Sequence, residues 1–237
     1  MNRRAIFAIM IAALVPVVSY LFVRYYSNRA VQMPPRYFYD SVAIIEKKGR
    51  IMSDTIWHKV KNISFTNQLG EKGSLNNFKG KIMVIDFFFT RCPAICPQMA
   101  RAMKKLQSSF KQNDSIVQFL SISVDPEHDS ISQLKKFADK FEVDPGSWWL
   151  VTGDKKEIYD FAFNELKASV ADADIDTAFI HTENYFLLDK ERIVRGWYNG
   201  LDSIMQRKLV RDIPLLMLEK ARKKTFSEFL KELFGRS

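Results

Sequence analysis

Residues 82–99 read IMVIDFFFTRCPAICPQM, and this stretch decides the fold. Ile82 to Phe89 is a nearly continuous apolar run, broken only by Asp86. Such a run suits a central strand covered on both faces. A carboxylate inside it needs a partner once water is excluded. Beyond Cys96, Met99, Met103, Leu106 and Phe110 recur at helical spacing, with Lys104, Lys105 and Gln107 on other faces. Cys92 and Cys96 therefore fall where a buried strand gives way to a helix. They are the only cysteines among 237 residues.

Working outward, element types alternate. A strand is expected over 116–124, a helix over 129–141, a strand over 148–151, and a helix capped by Asp154 with Ile158, Phe161 and Ala162 on its buried side. Tyr185–Leu188 and Ile193–Tyr198 form a hairpin about Asp189-Lys190-Glu191. Upstream, Val42–Ile45 reads as a short strand before the Lys47-Lys48-Gly49-Arg50 turn, and 57–73 as irregular chain or a hairpin. The alternation predicts an α/β sandwich on a mixed central sheet flanked by helices.

The ends carry different signals. Ala5 to Val23 contains no charge. As a helix it would rise roughly 28 Å, about one hydrocarbon core. Bulky residues follow it where a signal-peptide cleavage site needs small ones. The expectation is an uncleaved anchor at 5–23, with 1–4 in the cytoplasm and the large domain outside. Residues 24–56 then form a juxtamembrane linker and extension, stiffened by Pro34-Pro35, 57–200 the compact domain, and 201–237 a helical extension. Phe226, Phe229, Leu230, Leu233 and Phe234 give that extension an apolar stripe. The net charge of +9 is dispersed, without a zinc finger, GXXG loop or basic-aromatic interleaving, which argues against nucleic acid. GxSxG, Walker A and HExxH motifs are absent.

Helix-start amides favour a thiolate, which is both the attacking species in disulfide exchange and the ligand for soft metals. Pro97 is expected at the first helical position. Three residues separate the cysteines, one more than in the thioredoxin-like redox signature. Spacing and ligand type leave copper, zinc and disulfide exchange open. His58 reads as a packing residue, His128 as part of a capping loop, and Met99 as core. Asp125, Glu127 and Asp129 read as turn and cap residues, since the calcium-loop pattern is missing.

The stretches DFFFTRCPAICPQM (86–99), SVDPEHD (123–129) and HTENYFLLD (181–189) resemble the SCO/SenC family of copper-binding proteins across roughly residues 57–200. The resemblance implies a thioredoxin-like fold, one N-terminal anchor and an exported domain at the bacterial inner membrane facing the periplasm or cell exterior. It implies Cu(I) or Cu(II) held by Cys92, Cys96 and His181, and a role in assembling the binuclear copper site of cytochrome c oxidase. The implied partners are the oxidase's copper-site subunit and other periplasmic copper or thiol-redox proteins. Ala94-Ile95 and Ile180 stand where family members commonly carry an aspartate. Two alternatives accompany this metallochaperone reading. One is a membrane-anchored thiol–disulfide oxidoreductase that keeps acceptor cysteines reduced. The other is a non-catalytic assembly scaffold using the C-terminal helices.

Overall fold

The structure, a computed structural model, describes residues 3–30, 32–47, 50–168 and 182–219. It divides into two units, Met1–Pro34 and Pro35–Ser237. The first unit is one helix, α1 (Arg3–Ala30), with Pro16 inside it. Its side chains from Met10 to Tyr25 are exposed on every face. Among the described residues no helix is long and apolar enough to cross a membrane. The span expected over 5–23 is therefore shown as helix and not as a membrane crossing.

The second unit opens with an antiparallel hairpin, β1 (Tyr39–Lys47) and β2 (Arg50–Trp57), which forms a two-stranded sheet of its own. This strand pair is longer than the short segment expected at 42–45. The main sheet has seven strands: β3 (Ser64–Asn67), β4 (Lys72–Ser74), β5 (Ile82–Phe88), β6 (Val117–Ser123), β7 (Trp148–Thr152), β8 (Asn184–Leu188) and β9 (Val194–Asn199). Their order across the sheet is β4-β3-β7-β6-β5-β8-β9. β5, β6 and β7 are parallel, while β3, β8 and β9 join antiparallel. The sheet is thus mixed, as the alternation predicts.

Strand β5 is central, and every one of its residues is buried. Its alternate side chains serve two cores. Ile82, Val84 and Phe88 face the layer formed by α2 (Ile95–Ser109), α3 (Ile131–Lys140) and α5 (Ser203–Leu218). Met83, Ile85 and Phe87 face the layer that includes α4 (Lys155–Asp160) and the π turn after it. The apolar stripes supply these layers: Met99, Met103 and Leu106 from α2, Leu134 and Phe137 from α3, Ile158 and Phe161 from the α4 segment. Asp154 caps α4 as expected, accepting from the Glu157 amide at 2.9 Å.

Asp86 breaks the apolar alternation on the α2 side. It is 2% exposed and accepts a 2.5 Å hydrogen bond from the Ser121 hydroxyl, which in turn accepts from the Trp148 indole at 2.9 Å. Burial pushes its pKa up to about 7, against the lowering effect of the Ser121 bond. A second buried polar group holds the far edge of the sheet. Arg195 on β9, 3% exposed, pairs with Asp189 at 2.9 Å and Glu219 at 2.6 Å. Its Nε also donates to the Pro35 carbonyl, and the Tyr37 amide donates to the Val194 carbonyl. Arg195 therefore ties residues 35–37 and the end of α5 to the sheet. The apolar stripe at 226–234 lies outside the described residues.

Arg195→Met should leave Asp189 as an uncompensated buried charge, at a cost of ~3–5 kcal/mol. Thermal unfolding should shift down by about 10 °C; an unchanged midpoint would contradict a structural role. For Asp86 the folded chain binds more protons than the unfolded chain between the ordinary pKa of 3.8 and about 7. Its contribution to stability therefore falls as pH rises through that window and stays low above it. Asp86→Asn should remove that slope, gaining a few kcal/mol over the wild type by neutral pH in denaturant titrations.

Candidate metal centre

The cysteine loop leaves β5 after Phe88 and enters α2 at Ile95. The cap residue of α2 is Ala94, whose methyl group cannot accept a hydrogen bond. Helix-start amides still need acceptors. The sulfur of Cys92 fills the role, accepting the Cys96 amide at 3.3 Å. Pro97 is consequently the third helical residue, not the first as expected from sequence. Proline is harmless there too, because the first four amides of a helix lack intrahelical acceptors.

Both cysteines are free and buried, Cys92 at 7% and Cys96 at 4% exposure. Their acidities diverge. Burial pushes the Cys92 thiol up, but hydrogen bonds from the Cys96 thiol and from the amides of Cys96, Ala94 and Ile95 outweigh it, so its pKa lies below the usual thiol value. Burial pushes Cys96 well up, and donating to Cys92 and the nearby Asp86 charge push it further, against the Phe89 amide. Cys92 is the more acidic thiol of the pair, and Cys96 is its hydrogen-bond donor.

The DPEHD loop braces the stem of this turn. Asp129 accepts from the Thr90 amide at 3.1 Å, the Thr90 hydroxyl at 2.5 Å and the Ser123 hydroxyl at 2.5 Å. Asp125 pairs with Arg91 at 2.7 Å and with His128 Nδ1 at 2.8 Å. Turn and cap roles were the sequence expectation; the grip on Thr90 and Arg91 was missed, because it joins residues over thirty positions apart. The packing of Gly200 was also missed. A side chain there would collide with the Met99 thioether and the Tyr185 ring. The Tyr185 hydroxyl donates to the Met99 carbonyl at 2.7 Å, binding β8 to the first turns of α2.

The other histidines are engaged elsewhere. His58 contacts Asp40 at 2.8 Å and Glu165 at 3.1 Å, and His128 contacts Asp125. Met99 is core, at 3% exposure. His181 lies outside the described residues, so the expected three-ligand set is not tested by distance. Its neighbour Thr182 is described and buried. Strand β8 runs antiparallel to β5, with Ile85 opposite Phe186. The chain entering β8 thus arrives at the end of the sheet where β5 delivers the cysteine loop. Among the described residues no group of three or more His, Cys, Asp or Glu side chains is arranged to hold a metal ion.

Residues 58–217 match the sequence model of the family described as SCO1/SenC. The SCO1 protein homolog of Bacillus subtilis (strain 168) is 34% identical over 166 residues, covering 70% of this chain and 86% of that protein. The crystal structure of a SCO1/SenC family lipoprotein from Bacillus anthracis str. Ames superimposes with a TM-score of 0.58 at 33% identity, over 68% of this chain and 95% of that one. BsSco, a member of the Sco family of cytochrome c oxidase assembly proteins in which a disulfide switch has been identified, gives a TM-score of 0.58 at 32% identity, over 70% and 98% of the two chains. The thioredoxin-like sheet, the cysteine turn and these likenesses agree: the chain belongs to the SCO1/SenC family.

Proposed function

We propose that this protein is a membrane-tethered copper chaperone that delivers copper to the binuclear copper site of cytochrome c oxidase, holding its cargo with Cys92, Cys96 and His181. The observation that carries the reading is the pair of free thiols at the start of α2, one primed as thiolate and one as proton donor. Thiolates are soft donors that favour Cu(I), and a neutral imidazole accepts either copper oxidation state. The course of β8 beside β5 supports His181 as the third donor, since His181 directly precedes Thr182 at the cysteine end of the sheet.

Cargo capture has a proton balance. Cys92 binds as the thiolate. Cys96 must lose its proton to become a ligand, and its burial opposes that loss until a cation supplies compensating charge. Loading therefore releases protons and weakens as pH falls. Release to the acceptor proceeds by ligand exchange with the acceptor's thiolates. Oxidation of the Cys92 thiolate and the Cys96 thiol to a disulfide gives up two electrons to a disulfide or other oxidant and one proton to solvent, and abolishes the Cu(I) site, which couples delivery to redox state.

The uncharged run from Ala5 to Val23, helical within α1, supports an inner-membrane anchor with the domain on the periplasmic or outer side. A disulfide would persist there. The divergent thiol acidities favour a second reading: a thiol–disulfide oxidoreductase in which Cys92 attacks and Cys96 resolves.

Copper titration of the reduced full chain should give one equivalent. Cys92→Ala and Cys96→Ala should each abolish stoichiometric binding. His181→Ala should weaken it by at least ~10–100-fold, the range already found when outer-shell partners are lost. Unchanged binding in all three sinks the metal reading. Exchange that survives His181→Ala in a protein that never binds copper favours the oxidoreductase. Iodoacetamide at pH 7, followed by peptide mass mapping, should label Cys92 well before Cys96. Equal labelling of the native chain would contradict the assigned roles.

A further inference from the structure

Beside the cysteine turn the surface opens into a cleft of about 370 Å³, lined by Thr90, Arg91, His128, Gln133, Lys136, Phe137 and Lys140. It begins at the two residues immediately before Cys92. Its wall is one face of α3, since Gln133, Lys136, Phe137 and Lys140 follow helical spacing. Its floor is Phe137, 8% exposed and packed on Phe88 at 5.1 Å.

The charge of this cleft is one-sided. Arg91, Lys136 and Lys140 bring three cations, His128 is half-exposed beside them, and no lining residue is acidic. Two buried carboxylates touch the rim: Asp129 holds Thr90, and Asp125 lies beneath Arg91 and His128. Asp125 holds the Arg91 guanidinium by one nitrogen at 2.7 Å, while that side chain stays 59% exposed. The two residues between Cys92-Pro93 and Cys96 are Ala94 and Ile95, which add no charge. A polypeptide approaching Cys92 along α3 therefore meets cations on one side and an uncharged, partly apolar turn on the other. Like-charged clefts with apolar walls focus the field and steer oppositely charged partners.

We infer that the cleft between the Thr90-Arg91 stem and α3 is the docking surface for an acidic polypeptide segment that flanks the partner's reactive cysteine. The inference rests on Cys92 and Cys96 being the exchanging thiols, and it adds the chemistry of the partner they exchange with. Lys136 and Lys140 act on encounter and register, not on the sulfur chemistry. Their effect should therefore appear in the second-order rate and its salt dependence.

The test uses the reduced full chain in nanodiscs and three synthetic peptides. Each peptide carries one cysteine as a mixed disulfide with pyridine-2-thiol, flanked by aspartates, by serines or by lysines. Cys92 thiolate attacks the peptide sulfur and pyridine-2-thiolate leaves. Cys96 then loses its proton to solvent and attacks Cys92 sulfur, closing the disulfide and releasing the peptide thiol. At low salt the aspartate peptide should react about tenfold faster than the serine peptide, the lower end of electrostatic steering, and the lysine peptide slower than either. The preference should vanish in Lys136→Glu/Lys140→Glu and at high salt. It should persist in Lys79→Glu/Lys111→Glu, at the opposite end of the sheet. Equal rates for the three peptides, or equal loss in both double variants, would overturn the inference. If the dianion of dithiodipropionic acid gains as much over hydroxyethyl disulfide as the aspartate peptide gains over serine, the cleft is a small-anion subsite and the polypeptide assignment fails. Should no peptide react, the exchange reading fails instead. Fluorescence anisotropy with serine in place of the peptide cysteine then decides the cleft by itself: aspartate-selective binding lost in Lys136→Glu/Lys140→Glu supports it, and its absence overturns it.

Discussion

A helix that starts without a cap must find acceptors for its first amides, and α2 finds the sulfur of Cys92. Ala94 offers no oxygen at the cap position, so the Cys96 amide turns to the thiol four residues back. That contact helps fix the loop, and with the bond from the Cys96 thiol and the amides of Ala94 and Ile95 it lowers the pKa of Cys92. The amides that would be a liability at an uncapped helix become the electrostatic stabiliser of a thiolate. Structural need and chemical use coincide in one hydrogen bond.

The contact holds only if the loop is presented at the right height, and that is the task of β5. Buried on both faces, the strand cannot shift without moving two cores. Asp129 and Asp125 then grip Thr90 and Arg91, the two residues before Cys92. These carboxylates act on backbone, hydroxyl and guanidinium groups, which explains an acidic loop beside the cysteine turn. On the other side, Tyr185 and the missing side chain of Gly200 let β8 and the turn after β9 close against Met99. The start of β8 is thereby held at the same end of the sheet.

Much of this was legible from local pattern. The apolar run at 82–89, the stripe of α2 and the 185–198 hairpin each carry their own period, and each was found where periodicity placed it. What escaped were features that depend on residues distant in sequence. The grip of Asp129 on Thr90 spans thirty-nine positions, and the fit of Gly200 to Met99 about a hundred; neither leaves a local trace. The start of α2 was misplaced by two residues for the opposite reason. Proline's preference for the first turn is a local rule, and the Cys92 sulfur overrode it by capping earlier. The β1–β2 hairpin was shortened because its strands pair only with each other and show little alternation.

Asp86 follows from the same geometry. A strand buried on both faces has no reason to carry a carboxylate, and the bonds from Ser121 and from its own backbone amide do not offset the loss of water. Its charge adds a smaller push to the burial and the bond to Cys92 that raise the pKa of Cys96. In the proposed copper role, one ligand is ready and the other is released by the cation's own charge. With both thiols ionised, the pair would repel in a buried turn and invite oxidation; with neither, capture would be slow. The carboxylate makes its contribution from within the strand that positions the loop.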